Sequence, residues 1–330
     1  MKYYIVLISV FIVLFSACSS KEVFEPKEVG DDWDNYSSIS ESIVDTSLNI
    51  AKLDNNTVLT QEGVLDIEVK EDQRVLSFSD GWILTSSLDG NLTLTAKADK
   101  NLQENFALKK TIASASVKGD ILAVLFADNE MSIYSIPTKE LLFKEQGGKS
   151  LAVNAKIVQP YFLDGLILFS TLDGKVTIIN LEMKKRLRTS IVSSEDNFNN
   201  IIYINVIDSK IIAATGFKIL SLAQKETRVK YEIRNIIYDK KDLYIATKQG
   251  EIISLTPDLQ VNAKTKFPFA HFLGMVADEK FIYILEKEGY IIKLNKNMKD
   301  YTIHEVNISD GYIFITDEAF YIDDEKINIK

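Results

Sequence analysis

Residues 164–192 constrain the fold more than any other stretch, because they have the pattern of three short strands joined by two tight turns. Apolar, β-prone residues at 166–171 and 176–181 flank the turn Leu172-Asp173-Gly174-Lys175, and a third strand at 186–192 follows a second turn. An Asp-Gly turn between two such runs is the strongest short-range hairpin signal, since a type I′ turn requires positive φ at both central residues. The stretch therefore predicts consecutive antiparallel strands.

Weaker copies of this hairpin recur at intervals of about forty residues. Eight hairpins are found, at residues 57–67, 82–96, 121–136, 166–181, 211–222, 243–255, 281–294 and 312–322. Their turns centre on Asn129, Glu318 and six glycines, which we assign as structural turn glycines: Gly63, Gly90, Gly174, Gly216, Gly250 and Gly289. Glycine and asparagine are the residue types that adopt positive φ most easily.

Each hairpin is preceded by a short apolar run and followed by a more polar one, which predicts an inner strand A, a hairpin B–C and an outer strand D. The segments between hairpins show no amphipathic helical period, which argues against a βαβ fold. We therefore predict an all-β fold, a β-propeller of four-stranded antiparallel blades. Eight blades are favoured and seven are the alternative. The end intervals are short, so either the end blades are trimmed or strands from both termini share one blade.

The first residues have the pattern of an export signal rather than of a folded domain. Lys2 is followed by an apolar run at 3–15 and by Ser16-Ala17-Cys18, as in a secretory signal peptide. Residues 15–18 resemble a bacterial lipobox, although Phe15 stands where leucine is usual. That resemblance implies lipidation of Cys18 and a membrane anchor. We predict a lipoprotein signal peptide at 1–17, a lipidated N-terminus and flexible tether at 18–44, and a single propeller domain at 45–330.

Composition excludes several classes of function. The 330-residue chain has a net charge of −9 with lysines spread along it, so it has no basic stripe for nucleic acid. Cys18 is the only cysteine, and His271 and His304 are the only histidines, which excludes disulfides, thiol catalysis and a His-rich metal site. The sequence has no G-x-S-x-G motif. We therefore expect no enzyme activity, no catalytic residues, no cofactor and no metal.

Residues 267–272, with the sequence FPFAHF, form the densest aromatic cluster of the chain. Two interpretations remain open at this stage. On a propeller face the cluster would suit a partner peptide, whereas at a bend between blades it would be core.

The repeat at 164–189 resembles that of quinoprotein (PQQ-type) propellers: a strand ending in Ser170-Thr171, then Asp-Gly, a strand ending in Asn180, a turn and an outer strand. Segments 82–96, 243–255 and 281–294 follow the same outline. With the lipoprotein signal, residues 45–330 resemble the BamB family of outer-membrane assembly lipoproteins. The outer strands lack the family's closing Gly and Trp, so we expect Phe, Leu and Ile to pack between blades.

This resemblance implies an outer-membrane lipoprotein that faces the periplasm, with the barrel-assembly complex as its partner. The function predicted is a non-catalytic protein-binding scaffold, monomeric and accessory to the assembly of outer-membrane β-barrel proteins. Two alternatives are a surface-exposed lipoprotein that binds host or extracellular proteins, and a quinone-dependent dehydrogenase.

Overall fold

The structure is a computed structural model that describes residues 22–329. The predicted signal peptide and the predicted lipidation site, Cys18, lie outside the described residues, so both stay predictions.

Residues 22–329 form eight four-stranded antiparallel sheets, numbered here as blades 1–8. In blades 1–7 the four strands are consecutive in sequence. Blades 1 and 2 contain β2 Ile43–Thr46, β3 Ile50–Leu53, β4 Val58–Thr60 and β5 Gly63–Leu65, then β6 Arg74–Ser79, β7 Trp82–Ser86, β8 Asn91–Ala96 and β9 Gln103–Ala107. Blades 3 and 4 contain β10 Ile112–Lys118, β11 Ile121–Phe126, β12 Glu130–Ser135 and β13 Leu141–Gln146, then β14 Tyr161–Leu163, β15 Leu166–Ser170, β16 Lys175–Asn180 and β17 Lys185–Ile191.

The second half of the chain repeats this order. Blades 5 and 6 contain β18 Tyr203–Ile207, β19 Lys210–Ala214, β20 Lys218–Leu222 and β21 Glu226–Lys230, then β22 Ile233–Tyr238, β23 Leu243–Thr247, β24 Glu251–Leu255 and β25 Val261–Lys266. Blade 7 contains β26 Phe272–Ala277, β27 Phe281–Glu286, β28 Tyr290–Asn295 and β29 Tyr301–Glu305. Blade 8 contains β30 Ile313–Ile315, β31 Ala319–Ile322, β32 Glu325–Asn328 and, from the other end of the chain, β1 Tyr36–Ser38.

The strands become more polar from the centre of each blade outward. In blade 3, strand B (β11, ILAVLF) is almost wholly buried, whereas strand D (β13, LLFKEQ) is only partly buried. A strand covered on both faces is nearly continuously apolar, and a strand with one wet face is mixed. The hydrogen-bonding order of the strands places strand A at the inside of the ring and strand D at the outside.

A separate apolar cluster fills each of the eight contacts between neighbouring blades. Between blades 3 and 4, for example, Leu125 and Ile133 pack with Ile167 and Phe169. The core is therefore a ring of interfaces made mostly of Ile, Leu, Val and Phe. Each blade buries both of its faces only because it has two neighbours.

The ring is closed by strands from both termini. Strand β1 pairs with β32, with Tyr36 opposite Ile327 and Ser38 opposite Glu325. Blade 8 also packs on blade 1, where Phe314 and Ala319 share a cluster with Ile43. The prediction of an eight-bladed propeller is confirmed, and the seven-blade alternative is wrong.

The strand assignment of the first and last predicted hairpins is corrected by the structure. The hairpin at 57–67 joins strands C and D of blade 1, and the one at 312–322 joins strands A and B of blade 8. The B–C turns of these blades instead contain Asn56 and Asp323, whose φ angles are +67° and +55°. In these two blades the C–D or A–B turn also joins short apolar strands, so the hairpin pattern alone does not distinguish it from a B–C turn.

The described part of the predicted tether packs on the propeller instead of extending from it. Phe24 is buried and makes edge-to-face contacts with Phe267 and Tyr290. Trp33 packs on the cluster between blades 7 and 8, and its Nε1 donates a hydrogen bond to the Asn328 carbonyl at 2.9 Å. Aromatic burial of this kind outweighs the polar composition of the segment. No helix long and apolar enough to cross a bilayer occurs in residues 22–329.

Candidate functional site

The two faces of the ring carry different sets of loops. We call the face with the D–A connections and B–C turns the top face, and the face with the A–B and C–D turns the bottom face. All eight A strands run from the top face to the bottom face, around a central channel. The channel forms a cavity of about 1540 Å³.

The bottom mouth of the channel is acidic. Seven of the eight A–B turns contain an aspartate: Asp80, Asp120, Asp164, Asp208, Asp239, Asp278 and Asp317. Two of these side chains, Asp239 and Asp278, accept hydrogen bonds from the backbone of their own turns. Asp239, for example, accepts hydrogen bonds from the backbone of Lys241 and Asp242 and pairs with Lys296 at 2.6 Å. Aspartate is a common turn residue for this reason. Carboxylates outnumber lysines among the residues that line this mouth, which include Asp239, Asp278, Lys240 and Lys241.

The top mouth of the channel carries cations, of which Arg234 is placed by an irregularity in its strand. Strand β22 has a β-bulge between Ile233 and Asn235, so Arg234 is the extra residue. Similar bulges occur in four other A strands, where the extra residues are apolar: Val44, Leu76, Ala113 and Leu273. A bulge redirects a side chain. Here it brings a guanidinium to the channel wall.

The second cation, Lys156, lies in the long D–A connection that precedes the A strand of blade 4. Residues 151–160 form no strand, and the A strand of blade 4 is only three residues long. Asn200, which is fully buried, accepts a hydrogen bond from the Asn154 amide at 2.6 Å and donates to the carbonyls of Asn154 and Lys156. Lys156 Nζ then reaches across blade 5 and donates to the Arg234 carbonyl oxygen at 3.0 Å.

The environment of these cations is unfavourable for charge. Desolvation by burial, and secondly the charge of Arg234, lower the pKa of Lys156 to about 8. Burial also lowers the pKa of Arg234. Arg234 Nη1 lies 2.8 Å from His271 Nε2. Because a guanidinium can only donate, this ring nitrogen must accept.

Two bulky side chains project from D–A connections on the same face. Phe198 and Phe269 are 54% and 58% exposed, and their φ angles are +54° and +63°. Phenylalanine rarely adopts a left-handed backbone, so each position carries local strain. Each phenylalanine ring is therefore presented to solvent from a backbone conformation that this residue type rarely adopts.

Other exposed apolar side chains lie on the same face of the ring. Leu151 and Leu88 are the most exposed large hydrophobic residues, at 84% and 74%. The Phe198 amide donates to the Ala152 carbonyl at 2.8 Å, which brings Leu151 and Phe198 onto neighbouring loops. Tyr312 is also exposed on this face. The top face thus combines exposed apolar residues with a cationic channel mouth.

Residues 267–272 lie partly in the core and partly on the surface. Phe267 and Phe272 are buried between blades 6 and 7, whereas Phe269 is exposed. His271 lies at the channel mouth beside Arg234. The cluster supplies both core and surface.

The predicted turn glycines occupy three kinds of position. Four lie in B–C turns with positive φ: Gly90, Gly174, Gly250 and Gly289. Gly216 also lies in a B–C turn, but its φ is outside the left-handed range. Gly63 has a positive φ and is the first residue of β5, directly after a C–D turn. Within residues 22–329, no group of three or more His, Cys, Asp or Glu side chains is arranged to hold a metal ion.

Sequence similarity links part of the chain to two curated bacterial proteins, and no family profile matches it. The plasminogen-binding protein PgbB of Helicobacter pylori strain J99 is 37% identical over 170 residues, which cover 51% of this chain and 30% of that protein. PgbB of strain 26695 is 36% identical over 168 residues, with coverage of 50% and 30%. The chain thus spans about 30% of the length of the curated relatives it matches.

Solved structures with the same fold share little sequence with the chain. BamB from Moraxella catarrhalis superposes with a TM-score of 0.69 at 11% identity, over 88% of this chain and 97% of that one. The computationally designed protein Ika8 superposes with a TM-score of 0.64 at 13% identity, over 91% and 99%. At such identities the likeness shows a shared propeller fold.

Proposed function

We propose that the protein is a non-catalytic binding scaffold that holds a protein partner on its top face. One observation carries the proposal. Phe198 and Phe269 are held exposed in strained backbone conformations, on the face that surrounds the cationic channel mouth. Large aromatic residues and arginine dominate the binding energy of protein interfaces. Strain that persists at exposed loop tips is typical of functional positions.

A pair of variants tests the top face. Asparagine tolerates positive φ better than phenylalanine does, so the double variant Phe198→Asn, Phe269→Asn removes both rings without straining the fold. Met183→Ser is the control, because Met183 is 52% exposed in a C–D turn of the bottom face. We expect partner recovery in a pull-down from gently solubilised membranes to fall at least tenfold with the double variant and to stay unchanged with the control. Equal recovery from all three proteins would contradict the proposal.

Two classes of partner follow from different observations. The lipoprotein signal and the family resemblance support a periplasmic factor for outer-membrane barrel assembly. The identity of 37% to a plasminogen-binding protein over half the chain supports a surface lipoprotein that binds an extracellular protein. In both proposals a lipid on Cys18 anchors the propeller to the outer membrane.

Protease treatment of intact cells separates the two. Protection of the protein, together with recovery of the barrel-assembly core protein, supports the periplasmic role. Digestion, together with direct binding of purified plasminogen, supports the surface role. Cys18→Ala is the control for anchoring, and we expect it to leave the membrane fraction in either case.

A further inference from the structure

We propose that Lys156 and Arg234 form a binding site for a small oxyanion, a carboxylate or a phosphate, at the top mouth of the channel. This inference does not depend on the protein-binding role of the top face. It concerns a ligand inside the channel.

The first argument is that neither cation has an anionic partner. Fourteen ion pairs occur among the described residues, and none includes Lys156 or Arg234. Asp45, an acidic residue of the channel wall, interacts with Arg74 and Lys52 instead. The aspartates of the bottom mouth begin five residues further along strand β22, roughly 16 Å away at about 3.3 Å per residue. That separation exceeds the screening length of physiological salt.

The second argument is the donor geometry of Arg234. Its Nη1 is taken by His271, whereas Nε is buried and has no hydrogen-bond partner within the described part of the chain. Buried polar groups are normally hydrogen-bonded, so an orphaned donor of this kind requires an explanation. A guanidinium edge matches the two oxygens of a carboxylate or phosphate. A bound oxyanion would satisfy the orphaned Nε.

The third argument is that the structure holds two like charges together. Asn200 accepts one hydrogen bond from, and donates two to, the backbone on either side of Ala155, and the ammonium of Lys156 donates to the Arg234 carbonyl. Two adjacent cations without a counterion destabilise a fold when they are withdrawn from water. Elements from blades 4, 5 and 6 nevertheless converge to place the Lys156 ammonium against the backbone of Arg234, where the guanidinium charge acts on it. An anion shared between the two cations would offset that repulsion.

The channel offers space and further polar groups for such a ligand. Its cavity of about 1540 Å³ is lined by Tyr161 and Tyr203 as well as by these cations. A largely preformed cavity with a few convergent polar groups is typical of small-molecule sites. The site takes a ligand whose acidic group faces the top mouth.

Calorimetric titration of the purified full chain tests the site, with inorganic phosphate and with succinate as separate probes. We expect one or both probes to bind, and Lys156→Gln and Arg234→Gln each to weaken binding at least tenfold. Lys241→Gln is the matched control, because it removes one lysine from the bottom mouth of the same channel. Binding of only one probe identifies the ligand as a phosphate or a carboxylate.

A second measurement guards against misfolded variants. The pKa of the Lys156 ammonium, followed by NMR of the wild-type chain, should rise when the bound probe is present. No binding of either probe at about 10 mM, a concentration that detects even millimolar affinity, would overturn the proposal. Binding that is unchanged in Arg234→Gln would overturn it as well.

Discussion

Gly250 illustrates at the scale of a single residue why the hairpins carry glycine. Its φ is +74°, and a Cβ atom there would overlap the carbonyl oxygen of Phe267 in the following D–A connection. Gly81 has a similar φ of +78°, with no heavy atom within 4 Å of where a Cβ would lie. The two residues therefore share the same backbone requirement but differ in crowding.

We expect Gly250→Ala to lower the free energy of unfolding by about 3 kcal/mol or more, because overlap with rigid backbone adds to the cost of positive φ. Gly81→Ala should lower it by only about 1 kcal/mol. Urea denaturation of both variants checks the difference. Equal losses would show that crowding at Gly250 is relieved by a backbone shift.

The lowered pKa of Lys156 predicts that the free energy of unfolding depends on pH in the alkaline range. Its pKa is about 8 in the folded protein, lowered by desolvation and by Arg234, and about 10.4 in an unfolded chain. Between these values the unfolded chain binds more protons, so the free energy of unfolding should rise with pH across this range. Below about pH 8 the destabilising effect of the buried charge is fully present.

The measurement compares wild type with Lys156→Gln by urea denaturation at several pH values from 7 to 10. The variant should be the more stable protein near pH 7, and its advantage should shrink as the pH rises. A constant difference between the two proteins would contradict the lowered pKa.

At the scale of the strand and the blade, much of the structure is predictable from the sequence. The apolar B and C strands and the polar D strands differ in burial because they lie at different distances from the channel. The assignment of the end hairpins is not predictable in the same way. Gly63 and Glu318 lie in turns that resemble B–C turns locally, and only pairing across the ring shows which strands they join.

Asn200 joins two neighbouring D–A connections. It lies in the connection before blade 5 and holds residues 154–156, which belong to the connection before blade 4. It is fully buried and makes three hydrogen bonds to that segment. We expect Asn200→Ala to destabilise the protein by about 2 kcal/mol, because buried backbone groups lose their partners. The same change should release Lys156 from the Arg234 carbonyl.

Hydrogen exchange of residues 152–158 measures the local effect. Exchange there should accelerate more than in blades 7 and 8, which lie elsewhere on the ring. Asn205→Ala is a suitable control, because Asn205 also lines the channel but its side chain forms hydrogen bonds with Tyr203 and Val206 of its own strand β18. Uniform acceleration around the ring would mean that Asn200 supports the whole fold rather than this segment.

At the scale of the whole molecule, ring closure by strands from both termini is one of the alternatives that the sequence predicts. The pairing of Lys156 with Arg234 in the channel is not predictable from the sequence. Lys156 and Arg234 are 78 residues apart, and neither has a neighbouring motif. Arg234 follows an apolar residue at the start of an inner strand, as Leu76 or Leu273 does elsewhere. A bulge redirects its side chain, and no sequence pattern signals that bulge. The only indication in the sequence is that Arg234 is charged where the corresponding residue of the other bulged inner strands is apolar.

Residues 22–38 precede the first blade in the sequence, and they complete the closure of the ring. Strand β1 supplies the outer strand of blade 8, Phe24 packs on blades 6 and 7, and Trp33 on blades 7 and 8. Their removal would expose these apolar surfaces and leave the backbone of β32 unpaired at an open edge.

We expect deletion of residues 22–38 to lower the thermal midpoint by roughly 10 °C or more, given a loss of several kcal/mol in a chain of this size. Self-association should increase, because an unpaired edge strand is a template for another chain. A synthetic peptide of residues 22–38, added in trans, should restore the midpoint, and the same peptide with Trp33→Ala should restore it less. An unchanged midpoint would mean that seven complete blades and a three-stranded eighth hold the ring closed through their apolar interfaces alone.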